Sequence, residues 1–228
     1  MNTNKNSYII IYSAILVVVV AFLLAFVYAA LKPQQDINVA LDKKKQILAS
    51  LNIRNLSDAD AAAKYTEVVE CDEIIDTNAT VINKGEKGGE NAGFKLNSAD
   101  LKEGKLAVYV CNVDGEKKYV IPVYGMGLWG SIWGYIALDA DKNTIYGAYF
   151  DHQGETAGLG AEIKDNLKWQ QKFQGKKIHK DGVQGIALGV EKDAPAGDPN
   201  NVDAVTGATL TSDGVDAMLK EGLAKFIK

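Results

Sequence analysis

Between Asn6 and Leu31 the chain carries no charged side chain, and Tyr8–Leu31 is almost entirely apolar. Coiled as an α-helix, a run of that length reaches about 36 Å, against a hydrocarbon core of about 30 Å. No polar stripe interrupts it, as one would in a helix that buries a single side in a soluble core. Tyr8 and Tyr12 at one end and Tyr28 at the other suit the two interfaces of a bilayer, and Pro33 marks the expected end of the helix. Val27-Tyr28-Ala29 has the small-residue look of a leader-cleavage site, but the apolar stretch of a leader is usually about 7 to 15 residues long. The pattern therefore predicts a retained transmembrane anchor over residues 1–31. Lys5 precedes the span while Lys32, Lys43, Lys44 and Lys45 follow it, so positive charge alone leaves the sidedness open.

Residues 1–31 hold one basic and no acidic residue, so the remainder carries a formal charge of −5. With Arg54 the single arginine, no basic face stands out for a phosphate backbone, which argues against nucleic acid as a partner. A 47% hydrophobic and 24% charged composition suits a folded domain and excludes a disordered polymer. Residues 32–70 read as a helical lead-in. Ile37, Leu41, Leu48 and Leu51 recur on one helical face, and Ser57 with Asp60 resembles a capping box before a helix over Ala61–Val69.

Residues 71–228 read as an α+β domain, a largely antiparallel sheet with packed helices. Leu106–Cys111 and Tyr119–Tyr124 form a hairpin pattern around Asp114-Gly115, and Ile132–Leu138 with Thr144–Phe150 form a second. Glycines open a loop at Gly154–Gly160. A helix follows over Ile163–Phe173, then a strand over Gln184–Val190, a loop over Asp193–Asn201 and a closing helix over Asp213–Phe226.

The familiar enzyme signatures are missing: there is no nucleophile elbow, P-loop or dinucleotide fingerprint. Cys71 and Cys111 lack metal-ligand spacing and read as two separate buried thiols, a disulfide requiring an oxidising compartment. His152 and His179 also lack ligand spacing, so no metal and no catalytic residue is assigned. What remains is the segment Asp203-Ala-Val-Thr206-Gly207-Ala208-Thr209-Leu-Thr211-Ser212-Asp213, with four hydroxyls and a narrow backbone ahead of the last helix. It reads either as a nest for a phosphate or as a helix start capped by Thr211 or Ser212.

Asp203-x-x-Thr206-Gly207-Ala208-Thr209 matches the Asp-x-x-Ser/Thr-Gly-Ala-Thr signature of domains that carry covalent FMN. Lys32-Pro33-Gln34-Gln35-Asp36, Gly127-Leu128-Trp129 and Glu155-Thr156-Ala157-Gly158-Leu159-Gly160 precede it in order. Together they resemble the C-subunit family of sodium-translocating NADH:quinone oxidoreductases, with residues 57–103 only loosely matched. The related ferredoxin:NAD oxidoreductase (Rnf-type) complexes share the signature. A noncatalytic pilin-like module shares only an apolar first helix.

The resemblance implies FMN esterified to Thr209 by a separate flavin transferase, in one subunit of a multisubunit complex of the bacterial inner membrane, with the soluble domain periplasmic. It implies Leu128, Trp129 and Gly130 on one side of the flavin, and Glu155, Thr156, Gly158 and Leu159 on the other. Lys192 would lie near the flavin, and Thr206, Gly207, Ala208 and Thr211 around the phosphate. In two departures from the family pattern, Ala157 stands where proline is common and Gly130 where serine is usual, which would move a hydrogen bond to Ser131.

Overall fold

A computed structural model describes residues 6–226; Lys5, used above in the charge comparison, lies outside them. Two compact units meet in the sequence between Lys43 and Lys44. Helix α1, Asn6–Ser50, is continuous through Pro33, so the expected break there is wrong. A mid-helix proline removes one amide and crowds the preceding turn. Here the surrounding turns hold: Lys32 bonds Asp36 at 3.2 Å and lies over the Tyr28 ring, and Gln34 bonds Asn38 at 3.0 Å. The large side chains from Ile9 to Leu31 are all exposed on this helix, which is long and apolar enough to cross a membrane.

In the second unit, the last turn of α1 is buried at Ile47 and Leu48. It stops where Asn52 turns left-handed (φ 62°) and the Ile53 amide donates back to the Leu48 carbonyl, a Schellman-type end. Helix α2, Asp58–Val68, starts at Ser57, whose hydroxyl accepts from the Asp60 amide as the capping pattern predicts. It runs directly into β1, Val69–Ile75, which pairs with β2, Val81–Lys84. Neither strand is expected from the sequence pattern. A short 3₁₀ turn at Gly93–Lys95 and helix α3, Ser98–Lys102, lead to β3, Leu106–Val113.

Strands β4 (Glu116–Met126), β5 (Ser131–Leu138) and β6 (Ile145–His152) complete one antiparallel sheet in the order β2-β1-β3-β4-β5-β6. The β3–β4 turn places Asp114 and Gly115 both at positive φ (52° and 85°), the geometry that favours Asp-Gly in a two-residue hairpin loop. Beyond β6, Asn166 divides the expected single helix into α4, Glu162–Asp165, and α5, Leu167–Gln171. Its side chain caps α5 by accepting from the Trp169 amide.

The strand expected over Gln184–Val190 is only β7, Gly189–Glu191. It pairs in parallel with β8, Asn201–Asp203, which begins at the end of the segment read as loop. Helix α6, Thr209–Phe226, starts four residues before the expected Asp213. Its apolar face (Val215, Met218, Leu219, Leu223) packs with Ile121, Val123, Ile136 and Phe150 of the sheet in one core. This docks the amino end of α6 beside the β4–β5 tip. Cys71 and Cys111 are buried free thiols, and burial pushes both thiol pKa values up. Among the described residues no His/Cys/Asp/Glu group is arranged to hold a metal ion.

Candidate functional site

Three segments from separate parts of the chain converge at one end of the sheet. The first is the tip between β4 and β5, where the Gly127 amide donates to the Gly130 carbonyl at 2.8 Å. That closure leaves Leu128 and Trp129 projecting, 49% and 69% exposed. The second is the loop after β6. Gly158 takes φ 74° there, and the Leu159 and Ala161 amides both donate to the Thr156 carbonyl. The third is the entry to α6, where Gly207 (φ 78°) turns the chain into the helix.

Between them lies a cleft of about 220 Å³. The tip contributes Leu128, and the loop contributes Glu155, Thr156, Leu159 and Gly160. The helix entry contributes Gly207, Ala208, Thr209, Leu210 and Thr211. The Ser212 amide makes the first helical bond, to the Ala208 carbonyl, so the amides of Thr209, Leu210 and Thr211 precede the intrahelical ladder. No acidic residue of α6 itself occupies its first turn, so its free amides can meet an anion, with the Glu155 carboxylate already held at Thr211 on one side.

The four hydroxyls divide by environment. Thr211 Oγ1 donates to Glu155 Oε2 at 2.6 Å, and Ser212 Oγ accepts from the Val205 amide at 3.1 Å; both residues are buried. Neither caps the helix, because α6 begins upstream and both side chains sit within its first turn. Thr206 and Thr209 are exposed. Glu155 is buried, accepts from the Trp129 amide at 2.8 Å through Oε1, and donates its own amide to His152 Nδ1 at 3.0 Å.

Most of the residues singled out in the sequence meet here, but not all of them. Gly158 and Thr206 line an adjoining cleft of about 330 Å³ with Lys168, Trp169 and Lys172. Neither Trp129, which projects beside it, nor Gly130, which closes the tip next to Gln153, lines the cleft between the three segments. Ser131 donates to Met126 Sδ at 3.9 Å. Lys192 is exposed just past β7, where Glu191 pairs with Asp203, and lines neither cleft. Gly160 and Leu210 line the cleft without having been singled out, although both stand inside the recognised stretches.

A family model described as the FMN-binding domain matches residues 127–224, which contain the whole cleft. The chain is 34% identical over 220 residues to the Na(+)-translocating NADH-quinone reductase C-subunit of Haemophilus ducreyi, covering 90% of this chain and 85% of that protein. With the same subunit of Vibrio anguillarum it shares 33% identity over 198 residues, 81% of this chain and 77% of that one. The crystal structure of the subunit from Parabacteroides distasonis superposes with a TM-score of 0.76 at 40% identity, covering 87% of this chain and 96% of that one. These matches favour the quinone-linked family over the ferredoxin-linked one. The chain belongs to the C-subunit family of the Na(+)-translocating NADH-quinone reductase.

Proposed function

We propose that this chain is a single-pass, membrane-anchored flavoprotein subunit that carries FMN on Thr209 through a phosphodiester. In this reading it passes electrons that began on NADH at another subunit toward quinone, while sodium crosses the membrane. The observation that carries the proposal is the division of hydroxyls at the amino end of α6. Thr209 is exposed on the cleft, whereas Thr211 and Ser212 are buried in internal hydrogen bonds.

The donor set fits the group. First-turn amides and the Gly207 backbone suit a phosphate, while Leu128, Leu159 and Leu210 offer apolar walls to a planar ring. FMN supplies the one- and two-electron chemistry, and the protein's part is to bind, orient and tune it. A threonine hydroxyl is a weak nucleophile unless a base or metal activates it, and the nearby Glu155 carboxylate is already bonded to Thr211 and Trp129. A separate flavin transferase therefore makes the ester. A soluble domain on the periplasmic side of the inner membrane gives covalent attachment a purpose, since a flavin lost there is not readily replaced.

Expressed with a flavin transferase, the protein is expected to show a fluorescent flavin band after denaturing electrophoresis, and intact mass should exceed the bare polypeptide by one FMN adduct. Thr209→Ala should remove both signals and Thr206→Ala should keep them. A flavin band that survives denaturation in Thr209→Ala overturns the assignment.

A further inference from the structure

The cleft's three walls share one side chain. Glu155 Oε1 accepts from the Trp129 amide of the β4–β5 tip, at 2.8 Å, and Oε2 accepts from Thr211 Oγ1 in the first turn of α6, at 2.6 Å. Its backbone N–H donates a hydrogen bond to His152 Nδ1 at the end of β6. The surrounding glycines are shaped to admit this carboxylate. A Cβ at Gly127 would stand 2.5 Å from Glu155 Oε1, and a Cβ at Gly160 would stand 2.5 Å from Oε2 and 2.6 Å from Thr211 Oγ1. A side chain at either position would push the carboxylate off its partners. Glu155 is only 7% exposed, and a buried carboxylate is tolerated where its oxygens are satisfied by donors.

We infer that Glu155 is a positioning residue. It ties the Leu128–Trp129 tip to the Thr209 turn through the sheet-paired end of β6, and so fixes the separation of the two walls between which a ligand of this cleft is held. Hydrogen bonds to charged groups are among the stronger ones in proteins. Here one of them reaches from the end of the sheet to α6, which lies outside the strand pairing, and the other fixes the tip beyond the last β5–β6 pair. The inference also gives the carboxylate an electrostatic role. Lining the cleft, it opposes the build-up of negative charge on whatever is bound there. Its bearing on electron transfer rests on the reading of the cleft as a flavin site; the clamp itself does not.

Two measurements on the full-length protein in detergent separate these parts. The first is amide hydrogen exchange of the peptide containing Trp129, by mass spectrometry without flavin. Glu155→Ala should accelerate exchange at the tip by at least about tenfold. Glu155→Gln, which keeps an oxygen acceptor, should restore most of the protection, and Thr211→Val, which removes only the second bond, should fall between. Unchanged exchange at the tip in Glu155→Ala overturns the clamp. Because Thr211→Val replaces the hydroxyl with a methyl of similar size, it keeps the test decisive if Glu155→Ala does not fold: unchanged exchange in that variant likewise overturns the clamp.

The second measurement is the flavin midpoint potential of the flavinylated protein. Glu155→Gln, which removes the charge and keeps an acceptor oxygen, should shift it upward. Equal potentials in Glu155→Gln and wild type overturn the electrostatic role. A protein that takes up no flavin removes the flavin reading while leaving the exchange result to decide the clamp.

Discussion

Gly214 of α6 rests against Met126 of β4 so closely that a Cβ at 214 would stand 2.2 Å from the Met126 carbonyl oxygen. The same helix repeats the close approach at Gly222, where a Cβ would meet Val123 Cγ1 at 2.7 Å. A helix thus lies directly on the strand whose far end forms the Leu128–Trp129 tip, and its own first turn completes the cleft. Gly214→Ala should push the two apart. The expected cost is about 1 to 3 kcal/mol, the range for overpacking, measured by urea unfolding, with reduced flavin incorporation when the protein is made with a flavin transferase. Wild-type values in both measurements would contradict the close approach.

Trp129 projects from the tip with its amide held by Glu155. Because that bond uses the backbone, Trp129→Ala keeps the tip in place and removes only the indole. The expected result is an altered flavin absorption band or midpoint potential with covalent attachment intact. Identical redox titrations of variant and wild type would show that the indole does not touch the ring.

The carboxy-terminal turn of α1 belongs to the folded domain. Ile47, Leu48 and Leu51 are at most 1% exposed. Removing residues 1–43 should release a folded domain from the membrane fraction. Removing residues 1–51 also deletes three core side chains, each worth roughly 1.5 to 3 kcal/mol when buried. Chemical denaturation should show the longer deletion several kcal/mol less stable than the shorter, and similar midpoints would place these residues outside the core.

Asp198 shapes the loop between β7 and β8. Hydrogen bonds donated by the backbone N–H groups of Asn200 and Asn201, both 2.7 Å, hold its carboxyl below the ordinary value of 3.8, with Lys176 adding a smaller attraction. A pKa depressed in the folded state contributes stability that is present above the unfolded value and is lost as pH falls through the folded one. Asp198→Asn keeps an acceptor oxygen but cannot titrate. Its stability should therefore fall less steeply below about pH 4 than that of wild type, as followed by thermal unfolding across an acid series. Parallel acid limbs for the two proteins would argue against this contribution.

The apolar amino-terminal helix, the two hairpins from β3 to β6 and the glycine loop after them were legible because each is set by neighbours in the chain. An unbroken apolar run, alternation around Asp114-Gly115 and turn glycines carry their meaning locally. Strand β1 was not legible, because Asp72 in its middle is fully buried, which a strand pattern does not lead one to expect of an acidic residue. Its carboxylate is satisfied by the amides of Ala92 at 2.7 Å and Phe94 at 2.8 Å, from a turn about twenty residues away. Pro33 misled as well: it is a local breaker by pattern, yet α1 runs through it.

At the site, the sequence by itself determined that a hydroxyl-rich turn precedes the last helix. It left open whether Thr211 and Ser212 cap that helix. Tertiary structure decided this, by starting α6 at Thr209 and turning both hydroxyls inward. It also decided that Trp129, Glu155 and Thr211 share one carboxylate, across separations of 26 and 56 residues. Helix and turn patterns depend on contacts within a few residues, so they can be read along the chain. A hydrogen bond spanning the sheet exists only after the strands have set the distance between its ends.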